Sequence, residues 1–139
     1  AGDTMAPALE EDQIVLIDRA ARYLRTPARG DVILFDDPLG SGSLLKRIIA
    51  LPGETVDLKG GQVFIDGRPL DESDYVNLDA PAGDMDPVTV PEGCVFVLGD
   101  NRGEVYDSRT DGIGCIGYAQ ILGVVRVRIA PLSALAFYD

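Results

Sequence analysis

Cys94-Val95-Phe96-Val97-Leu98 is five apolar residues in a row, running directly into the turn-forming Gly99-Asp100-Asn101. A run this short, rich in β-branched and aromatic side chains and closed by a glycine turn, reads as a strand buried on both faces. Ile14-Val15-Leu16-Ile17 has the same character, whereas Val125-Arg126-Val127-Arg128-Ile129 alternates and so predicts a strand covered on one face only. Further runs between Gly, Pro and Asp clusters predict strands over 13–18, 31–35, 43–51, 54–58, 62–66, 88–90, 94–98 and 121–129. Lys59-Gly60-Gly61-Gln62 and Asp66-Gly67 fit the positive φ of primed hairpin turns, which makes a tight meander between Leu58 and Leu70. Helical content is confined to one or two turns over 19–25 and another over 119–121. The fold class is therefore mainly β, a folded-over antiparallel sheet or irregular barrel with short helices.

At 139 residues the chain is read as one domain, 1–139. The stretch 71–86 stands apart, with six carboxylates (Asp71, Glu72, Asp74, Asp79, Asp84, Asp86) and little periodicity, and is expected to be a solvated acidic loop or small appendage. Its spacing does not follow an EF-hand loop. A net charge of −11 opposes binding to nucleic acid or anionic lipid, so no nucleic-acid partner is expected. No run approaches the roughly 18–20 apolar residues of a spanning helix, and an anchor upstream of Ala1 is left open.

The chain contains no histidine and two cysteines, Cys94 and Cys115. Ser-His-Asp and Cys-His chemistry are thereby excluded, and a general base has to be Lys, Asp, Glu or Tyr. No metal and no cofactor is expected. The cysteines flank the Gly99 turn and are expected to be near neighbours, either as one disulfide or as two buried thiols.

Over Ser43 to Leu51 strand geometry places Lys46 on one face with Leu44 and Ile48, and Arg47 on the other with Leu45 and Ile49. Aliphatic neighbours would desolvate the Lys46 amine and lower its pKa, which suits a base. The same pattern fits a strand-edge lysine that snorkels to water. After the apolar strand come Gly99-Asp100-Asn101-Arg102 and Asp107-Ser108-Arg109. Two arginines and two aspartates across one loop suggest an ion-paired scaffold, either around a site or purely structural.

Three boxes in order now resemble the type I (leader) signal peptidase family. Gly2-Asp3-Thr4-Met5-Ala6-Pro7-Ala8-Leu9 is similar to its Ser-Met-x-Pro-Thr-Leu box, Lys46 to Glu54 to its lysine box, and Gly99 to Arg109 to Gly-Asp-Asn-Arg-x-x-Ser-x-Asp-Ser-Arg. Arg29 to Ile33 and Ile65 to Leu70 match the flanking strand and hairpin. The resemblance implies a membrane-associated serine-type endopeptidase at the extracytoplasmic face of the bacterial membrane. It would act on exported preproteins, cleaving signal peptides after small residues, and would be held by an N-terminal anchor outside this sequence. It implies Thr4 as nucleophile and Lys46 as base, a Ser/Lys-type dyad with threonine in the serine position. Gly2, Met5 and Pro7 would shape the cleft and oxyanion site, with Asp100, Asn101, Arg102, Asp107, Ser108 and Arg109 as scaffold. Thr4, Ala8 and Val105 depart from the family's Ser, Thr and Ser. Those departures keep open an inactive relative that binds or assembles exported proteins, such as pilus proteins. A self-cleaving repressor of related Ser/Lys fold fits less well, because it lacks the Gly-Asp-Asn-Arg box.

Overall fold

The computed structural model describes residues 14–20, 26–76, 83–129 and 135–137. Eleven strands are described: β1 (Ile14–Asp18), β2 (Val32–Asp36), β3 (Ser43–Ala50), β4 (Thr55–Lys59), β5 (Gln62–Ile65), β6 (Arg68–Pro69), β7 (Met85–Thr89), β8 (Cys94–Leu98), β9 (Ile116–Gly117), β10 (Ile121–Ile129) and β11 (Leu135–Phe137). One 3-10 turn, Tyr118–Gln120, precedes β10, about where a helical turn is expected. Two sheets result. The larger runs β1-β10-β2-β3-β8-β9, with β11 added to β10, and the smaller runs β6-β5-β4-β7. Every pairing is antiparallel.

Turn chemistry sets the smaller sheet. Asp66 and Gly67 take φ of 51° and 81°, and Gly60 and Gly61 take 58° and 84°, the backbone that the two hairpin sequences anticipate. The prediction of a two-sided strand holds for β8. Val95 and Val97 face one apolar cluster with Ile33, Phe35, Ile48, Ile116 and Ile121. Phe96 and Leu98 face another with Ile49, Val56, Leu58 and Val63, contributed largely by the smaller sheet. Thus β3 and β8 are interior strands lying between two cores, and their side chains from Lys46 to Ala50 and from Val95 to Leu98 are buried on both faces.

Among its described residues the acidic stretch departs from its expected solvated character. Glu72 is buried and Met85–Thr89 is a strand paired with β4, while Asp84 caps the first hairpin by accepting from Gly60 N at 2.7 Å. A carboxylate keeps its charge in such a place only with a cation beside it, and Arg102 provides one. The cysteines are free thiols packed against the same cluster, with Cys94 opposite Gly117 across the β8–β9 pair. Burial, and then the neighbouring Cys94, push the Cys115 thiol up. The structure thus holds two free thiols and not the disulfide, and both are half-buried where fully buried ones were expected.

Candidate active site

Lys46 lies in the middle of β3, opposite Ile33 of β2, on the face that carries Leu44 and Ile48. It is 1% exposed, and its Nζ makes no hydrogen bond. The snorkelling alternative is ruled out because β3 is flanked by β2 and β8, which leaves the stem no route along a sheet edge. Four charged groups act on the amine through space. Asp107, Glu104 and Asp100 favour the ammonium and Arg109 opposes it, but desolvation outweighs them all and the Lys46 pKa is lowered.

Arg47, the next residue, points to the opposite face of the strand. Its Nε and Nη2 donate to Asp100 Oδ1 and Oδ2 at 2.9 and 2.7 Å, its Nη1 donates to the Gly30 carbonyl at 2.8 Å, and its guanidinium carbon stands 4.1 Å from the centre of the Tyr75 ring. Such a fork-on-fork pair fixes both strand and loop. Burial outweighs the pull of Arg47, and the Asp100 carboxyl is pushed up.

The loop after β8 is built from the same kind of bond. Asp107, fully buried, accepts from Gly99 N at 3.1 Å and from Arg109 N, Nε and Nη2 at 3.0, 3.0 and 2.8 Å. Ser108 Oγ accepts from Val97 N at 2.9 Å, and Ser108 N donates to Val97 O at 3.1 Å, so the loop is stitched back onto β8. Arg102 donates through Nε to Gly99 O and through both Nη atoms to Glu72, at 2.8 and 2.5 Å. Asn101 contributes its carbonyl to the turn, accepting from Glu104 N. Only the Asp107–Arg109 pair is internal to the box. Asp100 and Arg102 reach partners elsewhere, Arg47 and Glu72, and neither of those stood among the expected site residues. Asp37 is a further unforeseen brace: it accepts from Tyr106 Oη, Ser41 Oγ and two backbone amides, and against desolvation these bonds hold its carboxyl at about 2. The expected cleft residues Gly2, Thr4, Met5 and Pro7 lie outside the described residues. Val105 is half exposed and offers the Lys46 amine no hydrogen bond.

Removing one partner of the Arg47–Asp100 pair leaves a buried charge uncompensated. Asp100→Ala is expected to cost about 3–5 kcal/mol of unfolding free energy, measured by urea denaturation. A cost below about 1 kcal/mol, the range of an exposed pair, would show that the pair does not brace the loop.

Residues 1–130 match the family described as "Signal peptidase, peptidase S26". The chain belongs to the signal peptidase family. It is 36% identical over 140 residues to a probable signal peptidase I-1 of Synechocystis sp., covering 94% of this chain and 69% of that protein. It is 33% identical to a signal peptidase I of Bacillus licheniformis, covering 99% and 78%. The crystal structure of a signal peptidase I from Enterococcus faecalis V583 superposes with a TM-score of 0.60 at 34% identity, covering 72% of this chain and 97% of that one. The family is one of bacterial signal-peptide-cleaving serine peptidases acting on exported preproteins at the membrane, with the active site on the extracytoplasmic side. No helix among the described residues is long and apolar enough to cross a membrane.

Proposed function

We propose that this signal peptidase cleaves signal peptides after small residues with Thr4 as nucleophile and Lys46 as general base, carried at the membrane by an anchor outside this sequence. The observation that supports the reading most is the Lys46 amine, buried and without a hydrogen bond. As a neutral amine it takes the proton of the Thr4 hydroxyl while Oγ1 attacks the scissile carbonyl, and the tetrahedral oxyanion is held by the Thr4 N–H with help from the Gly2 region. The proton then passes from Lys46 to the departing amine as the C–N bond breaks, leaving an ester on Thr4. Water, deprotonated by the same lysine, hydrolyses that ester, and the threonine hydroxyl and neutral lysine are restored. Met5 and Pro7 line the cleft.

A peptide bearing an Ala-x-Ala site, followed by mass spectrometry of the products, tests this. Cleavage after the second alanine is expected, with kcat/KM rising with pH to a plateau whose midpoint lies below the ordinary lysine value of 10.5. Absence of cleavage across pH 6 to 10, with the peptide still bound, would favour the binding and assembly role instead.

A further inference from the structure

Segment 71–76 reads as acidic and solvated, yet two of its side chains hold two of the three arginines around the site. Glu72 is 5% exposed and Arg102 1%, and their forks meet face to face. Tyr75 lays its ring on the guanidinium of Arg47, which Asp100 grips through two hydrogen bonds. A local turn fixes both side chains on their segment, with Tyr75 N and Val76 N donating to the Glu72 carbonyl at 3.2 and 3.0 Å. The charges also close. Arg47, Arg102 and Arg109 face Asp100, Asp107 and Glu72, so Glu72 is the third anion of the set.

Consider what the clamp spans. Arg47 adjoins Lys46 in β3, and Arg102 fixes the loop at both ends, through its bond to Gly99 O and through its own carbonyl, which accepts from Arg109 Nη1 at 3.2 Å. The strand carries the lysine, and the loop carries all four charged groups that act on its amine, Asp100, Glu104, Asp107 and Arg109. From this geometry we infer that Glu72 and Tyr75 are positioning residues: by gripping Arg102 and Arg47 they hold β3 and the 99–109 loop together and keep water away from Lys46. Neither touches the reacting atoms. The inference rests on Lys46 serving as the base, but its mark is left on the lysine itself and is readable without turnover.

The chain contains two lysines, Lys46 and Lys59, the second exposed and in a hairpin. Protein labelled with 13C at lysine Cε therefore gives two signals, one buried and one serving as control. In Glu72→Gln the carboxylate grip on Arg102 is lost at constant side-chain volume. Loosening that admits water moves the Lys46 titration midpoint upward by about one pH unit or more, a fraction of the 3–5 units that full burial produces. Loss of a negative charge acting only through space would move it the other way, so the sign of the change separates the two causes. Tyr75→Leu removes the ring without orphaning a buried charge and is expected to give a smaller upward move; it decides the matter if Glu72→Gln does not fold. Lys59 is expected to stay put in both. Where cleavage is measurable, kcat at pH 7 falls about tenfold for each unit of upward movement with KM unchanged, as the neutral fraction of the base falls. A Lys46 midpoint that stays put or drops in the folded variants, even with reduced stability, would overturn the inference. A parent that titrates as described yet cleaves nothing would instead count against the proposed activity and leave the clamp standing.

Discussion

Lys46→Met is expected to lower cleavage of an Ala-x-Ala peptide by about 10²- to 10⁴-fold, the usual contribution of a general base, while making the fold more stable. The two effects have one cause. A buried polar atom without a partner costs about 1–3 kcal/mol, and methionine fills nearly the same space between Leu44, Ile48 and Ile33 with no polar group to desolvate. Because the folded-state pKa of Lys46 lies below 10.5, the unfolded chain binds the extra proton more readily between those two values. Stability of the parent therefore rises with pH through that window, and the destabilisation due to Lys46 is complete only below the folded-state pKa. The gain from Lys46→Met should be largest at pH 7 and should shrink as pH approaches 10.5. Urea melts of both proteins at pH 7 and pH 10 measure it, and peptide cleavage is followed in parallel. A variant that is less stable at pH 7 would mean that the amine has a partner; activity that survives the change would remove Lys46 from the reaction.

That a lysine sits where it is costly was half visible in the chain. The alternation of Ser43 to Leu51 put Lys46 among aliphatic neighbours and Arg47 on the reverse face, and both placements hold. Whether Lys46 snorkelled or stayed dry depended on β3 being interior, a property of strand order and not of strand sequence. Strands with a clear apolar run, such as Cys94–Leu98 and Ile121–Ile129, have the expected bounds. The two-residue strands Arg68–Pro69 and Ile116–Gly117 carry no period and owe their pairing to neighbours. The partners of Asp100 and Arg102 were hidden for a similar reason. Glu72 lies 30 residues from Arg102 among five other carboxylates in 71–86, and composition cannot tell that Glu72 is drawn inside. The box itself carries three carboxylates and two arginines, so its composition gave no sign that Asp100 and Arg102 pair outside it.

Thr4→Ser and Val105→Ser, singly and together, address the remaining departures from the family's boxes. Threonine carries a methyl group on Cβ that narrows its χ1 choice, and holding a side chain away from its preferred rotamer costs about 0.5–1.5 kcal/mol. Serine at position 4 should relieve that, and an increase of about 2- to 10-fold in kcat/KM is expected. Val105 is half exposed, so serine there should leave stability nearly unchanged, within about 0.5 kcal/mol. By the resemblance to the family's box, a hydroxyl at this position is expected to serve Lys46 Nζ, the one unsatisfied buried side-chain atom among the described residues. Holding the amine in line is worth about 1–3 kcal/mol as a hydrogen bond to a buried group, or roughly 10- to 100-fold in rate. The double variant should then exceed either single one, and Lys46→Met should remove the gain in every background. If Thr4→Ser raises the rate and Val105→Ser does not, position 105 does not serve the lysine. If the folded double variant cleaves nothing while binding the peptide as tightly as the parent, two restored hydroxyls have not rebuilt a reaction, and the chain is a member of the family that binds exported proteins without cutting them.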